Sequence, residues 1–203
     1  MSKSSRSRLQ NDERRAQLIA LGVRLFSSRP YEAVSIDEIA EQAGISRGLL
    51  YHYFGNKRGF YVACLEQAAA GLAEHIRPPP EEPSDLNAVV RALERYLGWV
   101  EERADAYLAL MHGGMGRDRE AWAIIEQTRD GIIHNVLDQL GVDRDHPVYA
   151  TALRAWLGGV EAASERWLSA RAPSREILIA LLSDSLAAHL ATAGRLAPDA
   201  VNP

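Results

Sequence analysis

Apolar residues along this chain recur at the three- and four-residue spacing of a helix, and no stretch of useful length alternates as a strand would. Between residues 11 and 26, Leu18, Ile19, Leu21, Val23, Leu25 and Phe26 form such a stripe. Asp12 and Glu13 stand near its start, where the helix dipole favours acids, and Pro30 lies beyond its end. Ser35 with Glu38 three residues on has the form of a capping box, so a second helix of about two turns is predicted there. Its apolar face is Ile36, Ile39, Ala40 and Ala43, and Gly44 supplies the C-terminal turn. Ser46 then caps a third helix reaching about residue 53, with Ile45, Leu50 and Phe54 turned toward Ile39 and the first helix. Two short helices joined by a tight Gly-containing turn make a helix-turn-helix, whose second helix is the natural candidate for a major groove.

Asn56 caps a fourth helix, which ends at the segment "RPPPEEP" because its prolines cannot continue it. Beyond residue 84 the pattern predicts helices over 85–102, 104–111, 119–140, 147–171 and 174–191, separated by "HGGMGRD", "GVDRDHP" and "RAPS". The final "GRLAPDAVNP" reads as frayed. The fold class is therefore all-α: an N-terminal three-helix domain with a helix-turn-helix and a larger C-terminal helical domain. Boundaries are expected at 1–56 (basic arm and helix-turn-helix), 57–77 (connecting helix), 78–84 (Pro-rich linker) and 85–203 (helical body).

Composition narrows the setting. The 203 residues are 47% hydrophobic, enough to bury a core, and the single cysteine, Cys64, excludes an internal disulfide and fits a reducing compartment. The first residues carry no apolar signal-type stretch and no run is read as reaching the roughly 18 apolar residues of a membrane span, so the expectation is a cytoplasmic protein without a membrane partner. The formal net charge of −4 hides an asymmetry: residues 1–60 hold ten Lys and Arg against six Asp and Glu, or +4, which leaves −8 on the rest. A basic head on an acidic body points to a polyanion at one end.

The stretch "AGISRGLLYHYFGNK" supplies the candidate chemistry. Gly48 inside a short helix costs about 1 kcal/mol relative to Ala, and its bare backbone permits close approach of another surface or relieves crowding against a neighbouring helix. Arg47 stands opposite Leu50 and Phe54, where its fork can bond guanine O6 and N7 or a phosphate. Tyr51, His52 and Tyr53 sweep around the helix, so at least one is exposed with a donor for phosphate oxygens. Lys57 and Arg58 follow the Asn56 cap, and Ser35 opens another helix, so cations and free backbone N–H groups gather at helix N-termini that favour anions. At the front, Lys3, Arg6 and Arg8 form a mobile basic arm near phosphates or in a minor groove, or are simply disordered.

The segment "SIDEIAEQAGISRGLLYHYFGNKRGFY" resembles the DNA-binding segment of the TetR family of transcriptional regulators. Ile39, Ala40, Ala43, Gly44, Ser46, Gly48, Tyr51, Tyr53, Phe54 and Lys57 match the family pattern in spacing, over about residues 10–60. The resemblance carries DNA contacts onto Ser35, Ser46, Arg47, Gly48, Tyr51, His52 and Lys57. Leu49 departs from the small or polar residue usual at its position; it touches a thymine methyl or reads no base.

The resemblance also implies a homodimer on a palindromic operator, paired through the last two helices, and a partly apolar small-molecule effector bound among the body's helices. Leu153, Trp156, Leu157, Val160, Trp167 and Leu168 on one of those helices, and Leu178, Leu181, Leu182, Leu186 and Leu190 on the other, make stripes too wide for a single internal contact. Tyr107, Met111, Met115, Trp122, His134, Trp156 and Glu161 are the candidate effector-pocket residues, each of which is also ordinary core or surface. The function expected is a ligand-responsive regulator, a repressor released by a small molecule. Competing readings are a helical small-molecule-binding enzyme and a protein-interaction module without sequence-specific DNA binding. Against the enzyme, no HExxH or paired Glu-x-x-His motif occurs, Cys64 lacks a reactive context, and His112, His134 and His146 are not spaced as metal ligands, so no catalytic residue, metal or cofactor is implied.

Overall fold

The computed structural model describes residues 3–83, 86–112 and 119–200. Their main elements are helices: α1 (Lys3–Ser28), α2 (Ile36–Gln42), α3 (Arg47–Phe54), α4 (Lys57–Ile76), α5 (Leu86–Glu102), α6 (Ala104–His112), α7 (Arg119–Leu140), α8 (Pro147–Ala170) and α9 (Arg175–Leu196). Short 3-10 turns lie at Tyr31–Ala33 and Pro198–Ala200. The backbone contacts gather into two compact units, Met1–Ala70 with Asp105–Ile124, and Gly71–Ala104 with Ile125–Pro203. The expected body, 85–203, includes 105–124, which these contacts group with the first unit.

In the first unit, the predicted caps set the helix-turn-helix. Ser35 Oγ accepts from the Glu38 N–H at 3.1 Å and Ser46 Oγ from the Leu49 N–H at 3.2 Å. Only half of the expected capping box forms, because the Glu38 carboxylate turns away to accept from Arg29 at 2.5 Å and Gln42 at 3.1 Å. Arg29 holds the Glu38 carboxyl below its ordinary pKa. Gly44, at φ +64°, ends α2 in a Schellman turn: the Ile45 N–H reaches Ala40 O at 3.0 Å and the Gly44 N–H reaches Glu41 O at 3.1 Å.

Val34, Ile39, Leu50, Phe60 and Leu65 are fully buried beneath these helices. The Phe26 ring meets Tyr61 edge-on at 4.8 Å and stacks on Tyr31 at 6.0 Å, while Phe54 meets Phe60 at 4.8 Å. Phe54 is only half-buried, and the Arg15 guanidinium covers it at 5.3 Å. Burial pushes the Cys64 thiol up, which makes it an inert core group rather than a reactive one.

The first helix corrects one expectation. Lys3, Arg6 and Arg8 lie within α1 rather than in an irregular arm, since no Pro or Gly interrupts the sequence before Gly22 and the helix propagates from its packed C-terminal half.

In the second unit α8 and α9 form the main helix pair, with α5 against both. Trp156 Nε1 donates to Leu182 O and Trp167 Nε1 to Pro173 O, each at 3.0 Å, so both indoles are packing groups with satisfied donors. Pro147 occupies the first turn of α8 and Ser174 caps α9. The stretch expected to fray is ordered as far as Leu196, with Ala193 buried and Gly194 3.3 Å from the Tyr149 hydroxyl for an added Cβ. Length and composition alone would let α9 cross a membrane, although only 22% of that window is buried. By that measure the expectation that no run reaches membrane-span length does not hold for α9.

Candidate nucleic-acid interface

The reading surface is assembled by three helix starts. Ser35, Ser46 and Asn56 cap α2, α3 and α4, and Asn56 Oδ1 accepts from the Gly59 N–H at 2.8 Å. Each cap satisfies one of the first N–H groups of its helix and leaves the others pointing outward, the arrangement that favours a phosphate.

The helical sweep of α3 divides its residues sharply. Leu50 is 1% exposed and fixes the inner face, whereas Arg47, Gly48, Tyr51 and His52 are exposed, with Tyr51 at 45% and Leu49 at 37%. Tyr53 is half-buried and donates to Asn11 Oδ1 of α1 at 3.2 Å, which takes it off the outward face. At Gly48, an added Cβ would meet nothing nearer than Ser46 Oγ at 3.9 Å. Of the two explanations for this glycine, crowding against a neighbouring helix is thus removed. What remains is room for something outside the described residues.

Two cations are placed in ways the sequence reading did not foresee. Arg47 Nε pairs with Asp37 Oδ1 of α2, although both side chains are more than half exposed. Lys57 is half-buried with its ammonium 4.2 Å above the Tyr31 ring, and burial lowers its pKa while Glu32 partly offsets the effect. To meet a phosphate, Lys57 must swing off that ring. Arg58 pairs with Glu120 at 2.7 Å.

Asp37, Asn11 and Tyr31 therefore shape the surface without having been singled out. Asp37 lies in the first turn of α2, and nothing local in the sequence marks a contact across a turn. Ser35, Ser46, Arg47, Gly48, Leu49, Tyr51 and His52 form the exposed rim, and Lys57 sits at its edge.

The candidate effector residues are distributed differently. Tyr107, Met111 and Trp122 belong to the first unit and His134, Trp156 and Glu161 to the second, while Met115 and most of "HGGMGRD" lie outside the described residues. Tyr107 is fully buried and Trp122 is 58% exposed. Glu161 is bound by Arg129 through both oxygens at 2.8 and 2.9 Å. Arg129 also bonds Glu126, which in turn pairs with Arg154. Burial alone would raise Glu126, but its two arginines hold it below the ordinary value. Glu161 thus belongs to an ion-pair ladder between α7 and α8. An open groove of about 710 Å³ on the α8 and α9 side is lined by Pro147, Thr151, Ala155, Ala188, His189 and Leu196 among others, and by none of the candidate effector residues. Among the described residues, no group of three or more His, Cys, Asp or Glu could hold a metal ion.

Comparison with known proteins agrees with this geometry. Residues 86–189 match a family model described as "Tetracyclin repressor-like, C-terminal domain", and residues 18–64 match one described as "Bacterial regulatory proteins, tetR family". A crystal structure of a TetR-family transcriptional regulator from Streptomyces coelicolor is similar at TM-score 0.77 and 34% identity, covering 91% of this chain and 83% of that one. A TetR-like regulator from Rhodococcus sp. RHA1 is similar at TM-score 0.74 and 25% identity, covering 88% and 96%. The HTH-type transcriptional activator FasR of Mycolicibacterium smegmatis is 28% identical over 138 residues, which are 68% of this chain and 63% of FasR. The chain spans less than two thirds of the length of the curated relatives it matches, about two fifths in two other cases.

Proposed function

We propose that this chain, which belongs to the TetR family of DNA-binding transcriptional regulators, binds a palindromic operator as a homodimer and represses transcription until a small molecule releases it. The observation that carries the reading is the outward face of α3, where Arg47, Gly48, Tyr51 and His52 are exposed together, behind a buried Leu50, with open space at Gly48. In this reading α3 enters the major groove, Arg47 bonds a guanine edge or phosphate, and Ser35, Ser46, Tyr51, His52 and Lys57 hold phosphates that fix the register. Leu49 offers apolar contact to a thymine methyl.

Dimerisation is supported by the outer surface of α8 and α9. Ile177 and Leu181 are each 57% exposed and Leu196 is 67% exposed, while Gly158 and Gly159 have nothing within 4 Å of an added Cβ. A second copy seated there would bury this apolar face and present α3 twice, matching two-fold DNA. The effector is proposed to act from within the helical body, and it switches the protein only through unequal affinity for the operator-bound and released shapes. FasR is named an activator; here repression is inferred, and a promoter–reporter fusion reads the sign directly.

The test is the double variant Arg47→Ala with Tyr51→Ala. It is expected to keep its helical content and oligomeric state, as both side chains are exposed, and to lose operator-specific binding in a mobility-shift titration. Unchanged affinity would reject α3 as the reading helix.

A further inference from the structure

We propose that Asp37 is a specificity-determining residue, which positions Arg47 to read a base rather than to grip the backbone. The proposal rests on α3 being the DNA-reading helix. Asp37 lies in the first turn of α2 and Arg47 is the first residue of α3, and the turn at Gly44 lets the arginine reach back across the motif to the carboxylate.

The contact is made through Nε, on the flank of the guanidinium, and the far end of the fork carries the Nη donors that can match guanine O6 and N7. A long, exposed arginine otherwise samples many rotamers and takes whichever phosphate is nearest. Anchoring its flank fixes the direction of the fork.

The charge balance of α2 supports this assignment. Glu38, the neighbouring acid, is already bound by Arg29 and Gln42, so Asp37 is the acid seen to engage the reading helix. A carboxylate 59% exposed on a surface meant for DNA repels phosphates, and an exposed ion pair adds little to folding stability. Its effect is therefore on binding. On a wrong sequence, where no guanine meets the fork, the protein keeps an acid facing phosphates. On the right one, the acid becomes a buttress. Asp37 weakens binding to random DNA and strengthens binding to the cognate site.

The experiment selects bound duplexes from random DNA with the wild-type chain, Arg47→Ala and Asp37→Asn, then titrates each protein with the selected site and a scrambled one. Arg47→Ala is expected to erase the preference at one base pair in each half-site. Asp37→Asn is expected to relax that same base pair, tighten binding to the scrambled duplex, and lower the cognate-to-scrambled affinity ratio about tenfold, the size of losing one paired base contact. The proposal is overturned if Asp37→Asn keeps the Arg47-dependent preference, or if Arg47→Ala erases no base preference. If the wild-type chain itself selects no consensus, the reading of α3 falls and takes this proposal with it.

Discussion

Two helical glycines of the N-terminal unit, Gly22 and Gly59, and the two central glycines of α8 sit in opposite surroundings. At Gly22 an added Cβ would strike Cys64 Sγ and the Phe60 ring at 2.5 Å, and at Gly59 it would come within 2.2 Å of the Phe54 carbonyl oxygen. At Gly158 and Gly159 on α8 it would meet nothing within 4 Å, and both residues are exposed. At Gly22 and Gly59 the chain packs on itself so closely that a methyl group does not fit. The outer side of α8 holds space that its own chain leaves empty. That contrast distinguishes closely packed positions of the head from the proposed dimer surface, and Gly48, a helical glycine of the head, is open like those of α8.

The contrast can be broken most forcefully at Gly59. Gly59→Ala drives a methyl group into backbone, which side-chain motion cannot relieve, so the corner between α3 and α4 must open. The expected loss is at the upper end of overpacking, about 3 kcal/mol or more in urea unfolding, together with loss of DNA binding. Leu181→Glu is next: with the side chain already 57% exposed, the monomer should fold as before. If the proposed dimer forms through this face, sedimentation should show a dimer for the parent and a monomer for the variant, and a variant dimer persisting at micromolar concentration would remove this face from the interface.

Gly48→Ala sharpens the comparison from inside the head. The helix should gain about 1 kcal/mol, because Ala is the better helix former and meets only open space. DNA affinity should nevertheless fall by about tenfold as the methyl group stands off the duplex. Tighter binding would show that Gly48 serves folding alone.

Acid should produce the smallest effect at working pH. Glu38 in the first unit, and Glu82, Glu126, Asp138 and Glu176 in the second, have pKa values held below their ordinary ones; at Glu82, Glu126 and Asp138, bonds from Arg95, from Arg154 and Arg129, and from Arg144 respectively do so. Since the folded values are lowered, this stabilisation is complete above the unfolded carboxylate range of about pH 4 and is lost as pH falls through the folded values. The second unit should therefore loosen first. Trp99, Trp156 and Trp167 lie in that unit and Trp122 in the first, so in a Trp122→Phe variant the tryptophan fluorescence should change at a higher pH than signals from the head.

What could be read from the sequence was what depends on neighbours along the chain. Ser35, Ser46 and Asn56 announced three helix starts and Gly44 the turn, because caps and left-handed turns are chosen by residues within a few positions. Leu50 inward followed from helical spacing, and the exposure of at least one of Tyr51, His52 and Tyr53 from the helical sweep, while Tyr51 itself was singled out by the family resemblance. The Arg47–Asp37 pair and the Lys57–Tyr31 contact were not legible, since both depend on how the chain turns back on itself. The grouping of 105–124 with the head also depends on tertiary packing, which periodicity does not encode. The candidate effector residues fared differently because Trp, Tyr and Met at helical spacing look alike whether they line a chamber or fill a core. Trp156 and Glu161 prove to be occupied by Leu182 O and Arg129.

The most direct test of the central claim is to select bound sequences from a pool of random duplex DNA with the purified chain. The account predicts a two-fold symmetric consensus whose half-sites are centred about 34–36 Å apart or a multiple of this, as two copies of α3 on one face of the duplex require. Recovery of no consensus, or of a single asymmetric half-site bound by a monomer, would contradict it.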